Sequence, residues 1–105
     1  MDPRYETLAA NVVSHSTDLQ PGERVLIHSF DVPHEMTLAL VRAVRDREAI
    51  PFVQLQNARV DREWTLGGSD EQFETALSWE MNRMKTMDAY IALRGSTNVF
   101  EASDL

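Results

Sequence analysis

The sequence predicts an α/β domain of three layers, a short parallel three-stranded sheet with flanking helices, and three observations lead there. Apolar residues switch between helical spacing and short β-rich runs in the order helix, strand, helix, strand, helix, strand. Cap and turn residues (Asp2-Pro3, Asp31-Val32-Pro33, Ser69-Asp70) punctuate the switches. Both links between successive strands carry helical periodicity, and a helical crossover joins parallel strands in a right-handed sense.

Asp2-Pro3 starts the first helix, since Asp caps free amide groups and Pro suits the first helical position. Tyr5, Leu8, Ala9, Val12 and Val13 follow at i, i+3, i+4, i+7 and i+8, so one face is apolar to about Asp18. Gln20-Pro21-Gly22-Glu23 turns the chain into Arg24-Val-Leu-Ile-His-Ser29, read as a buried strand. Asp31 is expected to cap the second helix, whose stripe is Met36, Ala39, Leu40, Ala43 and Val44. Leu38 and Val41 widen it, which suggests cover on more than one side. Pro51-Phe-Val-Gln-Leu-Gln56 is the second strand, with Pro at its first residue. Val60 and Trp64, one turn apart, suggest a short helix within 57–68. Ser69-Asp70 caps a long helix with Glu71 and Glu74 in its first turn and an expected apolar stripe of Phe73, Ala76, Leu77, Met81 and Met84. Ala89 to Leu93 is the third strand, followed by turn residues Gly95-Ser-Thr-Asn98. Ser103-Asp104 reads as the cap of a further helix just before Leu105, which leads to the expectation of a piece of a longer polypeptide.

With 105 residues there is room for one domain and one core. Apolar content of 43% with 26% charged residues suits a soluble globular domain. The net charge of −7 opposes polyanionic partners, so neither nucleic acid nor an anionic membrane surface is expected. The absence of cysteine excludes disulfides, thiolate zinc sites and thiol nucleophiles, and is compatible with a cytoplasmic protein. No secretory signal pattern opens the chain, and no window approaches the ~20 apolar residues of a membrane span.

Candidate chemistry collects at the expected carboxyl ends of the strands, where ligands gather in sheets of this kind. His28, Asp31, His34 and Glu35 place two imidazoles and two carboxylates within eight residues, a combination that could bind a divalent metal. The structural alternative weighs more: His28 ending a strand, Asp31 capping a helix, His34 and Glu35 solvated in its first turn. His15, near the polar edge of the first helix, is read as structural. Arg94-Gly-Ser-Thr-Asn98 could present an arginine and backbone amides to an anion, but it matches neither a Walker loop nor a dinucleotide fingerprint. The Met residues at 81, 84 and 87 read as core filler.

Several segments also resemble a known family in order. They are Met1-Asp-Pro-Arg-Tyr5, Gln20-Pro-Gly-Glu-Arg-Val-Leu-Ile27, Ile50-Pro-Phe-Val53, and Met87-Asp-Ala-Tyr-Ile-Ala-Leu-Arg-Gly95 with Asn98 and Ser103-Asp104. Together they resemble the start of the thermophilic-type aminopeptidases, the bacterial metallopeptidases that include aminopeptidases T and S and some leucyl aminopeptidases. The resemblance implies a Rossmann-like N-terminal α/β domain spanning residues 1–105. It would serve a parent enzyme whose C-terminal catalytic domain holds two divalent ions of the Zn, Co or Mn class. It further implies a cytoplasmic homodimer that releases N-terminal amino acids from short peptides. The ligands lie in the second domain of that family and match no position here, so no catalytic or metal residue is expected in this chain, and the piece alone is expected to be inactive. Arg94 and Asn98 are the expected lining of the substrate space. Two alternatives stand beside this reading: a free-standing binding module that uses the strand-end crevice, and an exposed interaction surface built from Trp64, Trp79 and the Met cluster.

Overall fold

A computed structural model describes residues 3–95 and 99–104. Their order is α1 (Pro3–Asn11), a π turn (Val12–Ser16), β1 (Arg24–Phe30), α2 (His34–Asp46), β2 (Ile50–Gln56), α3 (Ala58–Thr65), α4 (Asp70–Thr86), β3 (Ala89–Arg94) and β4 (Val99–Asp104). The predicted α/β class with its three parallel strands is the one observed, and β4 adds an antiparallel fourth strand in the order β2-β1-β3-β4.

Strand β1 is central and buried from Val25 to Ser29, as its apolar run requires. Its alternate residues serve two faces. Val25 and Ile27, with Ala89, Ile91 and Leu93 of β3, meet Ala9, Val12, Leu19, Leu40 and Val44 in one core under α1 and α2. Within that core Ser29 and Thr37 hydrogen-bond to each other at 2.8 Å, so neither hydroxyl is left unsatisfied. Leu26, His28 and Phe30, with Tyr90, Ala92 and Arg94, face the other way, toward the side crossed by the α3–α4 link. The first crossover runs from β1 out to β2 and the second returns from β2 past β1 to β3, so the two travel in opposite directions and place their helices on opposite faces when both are right-handed.

The first helix ends near Asp18 as expected, but by an unexpected route. It widens at Val12 into a π turn, closed by Thr17 N and Thr17 Oγ1, both donating to Val12 O at 3.0 Å. Val12 and Val13 both stay buried through it. Asp18 (φ +46) then ends the helical path, and Pro21-Gly22 makes the turn into β1, with Gly22 at φ +84 and Glu23 N donating to Gln20 O.

Several local readings need correction. Asp31 does not cap α2: Pro33 occupies that position without a side-chain cap, and the Asp31 carboxylate accepts from Ala58 N at 3.1 Å, at the start of α3. Parallel pairing brings the ends of β1 and β2 side by side, so the residue after β1 reaches the helix after β2. Asn57 caps α3 through Arg59 N and Val60 N, and Ser69 caps α4 through Gln72 N. Leu38 is 50% exposed, so α2 is covered on one side at that position. Strand β2 begins at Ile50, which makes Pro51 its second residue. Ser103-Asp104 caps no helix but ends β4, whose pairing with β3 supplies the partner that its own weak pattern does not announce. Asp2 and residues 96–98, Asn98 among them, lie outside the described residues.

The α3–α4 side is the least covered. No residue of either helix is buried, and Leu77 and Met81, expected in the core, are 60% and 54% exposed. The radius of gyration of 14.6 Å exceeds the about 13 Å of a compact chain of this length, consistent with helices that stand off the sheet. No helix among the described residues is long and apolar enough to cross a membrane.

Candidate functional site: the crevice between the ends of two strands

The order of strand addition reverses beside β1: one crossover leads from it to β2, and the next returns past it to β3 on its other side. The carboxyl ends of β1 and β3 therefore diverge into a crevice, the position where open α/β sheets bind ligands. A cleft of about 520 Å³ opens there, lined by Arg4, Tyr5 and Leu8 of α1, Asp31 to Pro33 before α2, Met36 of α2, Leu93 and Arg94 at the end of β3, and Gly95 after it.

Two backbone features hold its floor. Asp31 adopts φ +54, turning the chain sharply out of β1. Gly95 donates from its N–H to Phe30 O at 2.8 Å and lies against the Asp31 peptide. A Cβ at residue 95 would stand 2.6 Å from the Asp31 carbonyl carbon and 3.2 Å from Val32 N, so this crossing point admits only glycine without movement. Arg94 contributes to the edge of the cleft, but its exposed side chain turns to the opposite sheet face, where the guanidinium lies 4.6 Å from the centre of the Phe30 ring.

The four residues proposed as metal candidates do not converge. His34 and Glu35 are exposed in the first turn of α2, Asp31 is engaged with α3, and His28 lies mid-strand rather than at a strand end, buried on the opposite sheet face. Among the described residues no three His, Asp or Glu side chains gather as a metal site needs. His15 is exposed on the π turn.

His28 instead belongs to a polar chain that sequence reasoning missed. Its Nδ1 pairs with the Tyr90 hydroxyl at 2.8 Å, its Nε2 with Gln56 Oε1, and Gln56 Nε2 donates to Asp61 Oδ2 at 2.6 Å. A carboxylate only accepts, so Gln56 must turn its amino group to Asp61 and its carbonyl to His28. Nε2 of the imidazole then donates, and in the neutral ring Nδ1 accepts from Tyr90 O–H. The result is a one-way series of donors running Tyr90, His28, Gln56, Asp61 that ties β3, β1, β2 and α3 together. Burial holds the His28 pKa below its usual value; the Gln56 hydrogen bond and Glu80 oppose that shift, and Arg83 and Arg94 add to it. The polar alternation of Gln54 and Gln56 in β2 was the one sequence signal that a polar face lay here.

No family model matches this chain, and no curated protein matches it.

Proposed function

We propose that this chain is a peptide-access domain: a non-catalytic α/β lobe whose strand-end crevice receives short peptides for a metal-dependent aminopeptidase domain working beside it in the cytoplasm. The observation that carries the binding part is the crevice between β1 and β3, which combines apolar walls from Leu8, Val32, Met36 and Leu93 with Arg94 at its mouth. Apolar walls suit peptide side chains. The aminopeptidase part rests on the ordered resemblance of Gln20 to Ile27, Ile50 to Val53 and Met87 to Gly95. In this reading the hydrolytic step belongs to the partner domain and its two divalent ions, while this chain binds and orients. Asn98, four residues after Arg94, is assigned to the same lining by its place in the sequence alone.

Amide chemical-shift titration with di- and tripeptides tests the binding part. Shifts confined to Val32, Leu93, Arg94 and Gly95 are expected, and peptides that leave these amides unmoved would remove it. Peptidase assays with added Co²⁺, Zn²⁺ or Mn²⁺ test the division of labour, with activity expected only when the catalytic domain is present. A second reading, a free-standing module that binds a small ligand in the same crevice, draws on the fact that the crevice is formed entirely within this chain. Binding of small carboxylates with no preference for peptides would favour it.

A further inference from the structure

Among the described residues Trp79 is, at 67%, the most exposed of the large hydrophobic side chains, and Trp64 is 46% exposed. Two indoles left in water beside one hollow suggest a ligand that uses their faces. A notch of about 280 Å³ lies between α3 and α4, with Trp64, Trp79, Thr75, Ala76 and Glu71 in its lining. Two contacts hold Trp64 at one end of it. Its ring meets Phe73 edge-on, 5.4 Å between centres, and its carbonyl oxygen accepts from Gln72 Nε2 at 2.8 Å. Trp79 follows Gln72 by seven residues, about 10 Å further along α4, and helical side chains lean back toward the helix start. The notch thus has an indole at each end and the short side chains of Thr75 and Ala76 between them.

Glu71 supplies the charge. It lines the notch, is exposed, and makes no hydrogen bond or ion pair among the described residues. The helix dipole favours any carboxylate in this first turn, Asp70 included; what sets Glu71 apart is that it opens on the two indoles. Residues 57–80 carry six carboxylates against two arginines, Arg59 and Arg62, and neither arginine lines the notch. Indole faces and a free carboxylate in a negative field attract the same thing, a cation. Beside Glu71, Thr75 and Ala76 offer few acceptors. An ammonium or guanidinium with N–H groups to satisfy would lose hydrogen bonds on entering, whereas a fully methylated ammonium has none to lose. We propose that the notch between Trp64 and Trp79 binds a trimethylammonium group, as carried by choline-type small molecules and by trimethylated lysine, with Glu71 as its counter-charge. The notch shares no residue with the strand-end crevice, so this inference goes beyond the peptide-access reading and does not depend on it.

Trp64 and Trp79 are the only two tryptophans in the chain, so its intrinsic fluorescence reads the notch directly. Titration with choline or tetramethylammonium chloride should shift that emission saturably, while sodium chloride at equal ionic strength should not. The neutral tert-butyl isostere of choline, which has the same shape without the charge, should bind at least about tenfold more weakly. Trp79→Ala and Glu71→Gln should each raise the dissociation constant about 5- to 30-fold, with Trp79→Phe between Trp79→Ala and the unaltered chain. Both side chains are exposed, and circular dichroism checks that each variant folds; the isostere arm needs no variant at all. A peptide bearing trimethyl-lysine distinguishes the two sources. Tighter binding than choline supports a protein-borne ligand, and equal binding supports a small molecule held by its headgroup alone. Emission unmoved by tetramethylammonium at tens of millimolar overturns the proposal. So does an isostere that binds as tightly as choline, or an affinity indifferent to Trp79→Ala or to Glu71→Gln.

Discussion

Replacing Gly95 by alanine adds one methyl group at the tightest crossing in the molecule. The new carbon would lie 2.6 Å from the Asp31 carbonyl carbon, roughly 1 Å inside the 3.5–4.0 Å optimum for two carbons. The obstacle is backbone rather than a side-chain tip, so relief requires β3 and the turn after β1 to part. Parting them strains the packing, at about 1–3 kcal/mol. It also stretches the 2.8 Å bond from Gly95 N to Phe30 O, worth about 1 kcal/mol. The sum, about 2–4 kcal/mol, is a large share of the roughly 5–15 kcal/mol that holds a domain folded. Urea unfolding followed by circular dichroism measures it. Gly22→Ala is the matched control: nothing lies within 4 Å of its added carbon, and only the φ of +84° resists it, at about 1–2 kcal/mol. A Gly95→Ala loss below about 0.5 kcal/mol, or one no larger than that of Gly22→Ala, would refute the claim that these two backbones touch. Peptide titration of the folded fraction adds a functional reading, since displacing Asp31 and Val32 should weaken binding in the crevice.

Other consequences can be measured alongside. Because burial lowers the His28 pKa, the unfolded chain binds the proton more readily, so stability should be full above the ordinary value of 6.5 and fall as pH drops through it toward the folded value. His28→Asn should flatten that slope, and an unchanged slope would assign it to other groups. Leu40→Ala should cost about 2–5 kcal/mol, whereas Leu38→Ala, two residues away on the same helix but half exposed, should stay within about 0.5 kcal/mol by urea titration. Asn57→Ala removes the acceptor for Arg59 N and Val60 N and should cost about 0.5–2 kcal/mol, with amide exchange fastest in the first turn of α3.

Local chemistry was legible where a residue serves its own neighbourhood. Ser69 caps the helix that follows it, the short helix after Asn57 forms, and the unbroken apolar run of Arg24 to Ser29 becomes the central strand. Readings failed where the partner is distant in sequence. Asp31 reaches across to α3 because parallel pairing sets the ends of β1 and β2 together, and no local pattern encodes that reach. His28 finds Tyr90 and Gln56 in the same way, 62 and 28 residues away. The α4 stripe was recognised as apolar, yet periodicity says only that one face avoids water and leaves open what covers it. Strand β4 was missed because Val99 to Asp104 carries little alternation, and what reveals it is its backbone pairing with β3.

The π turn gives the chain a store of slack. Its extra backbone residue delivers Leu19 into the core and Asp18 to Arg47, which ties down the linker through Leu19 O at 2.8 Å. Losing one residue between Val12 and Ser16 could be absorbed by a tightening to ordinary α-helical pitch, whereas the same loss inside α2 would rotate every later side chain off the sheet. Length variation near the start of this fold is therefore most readily accommodated at that bulge.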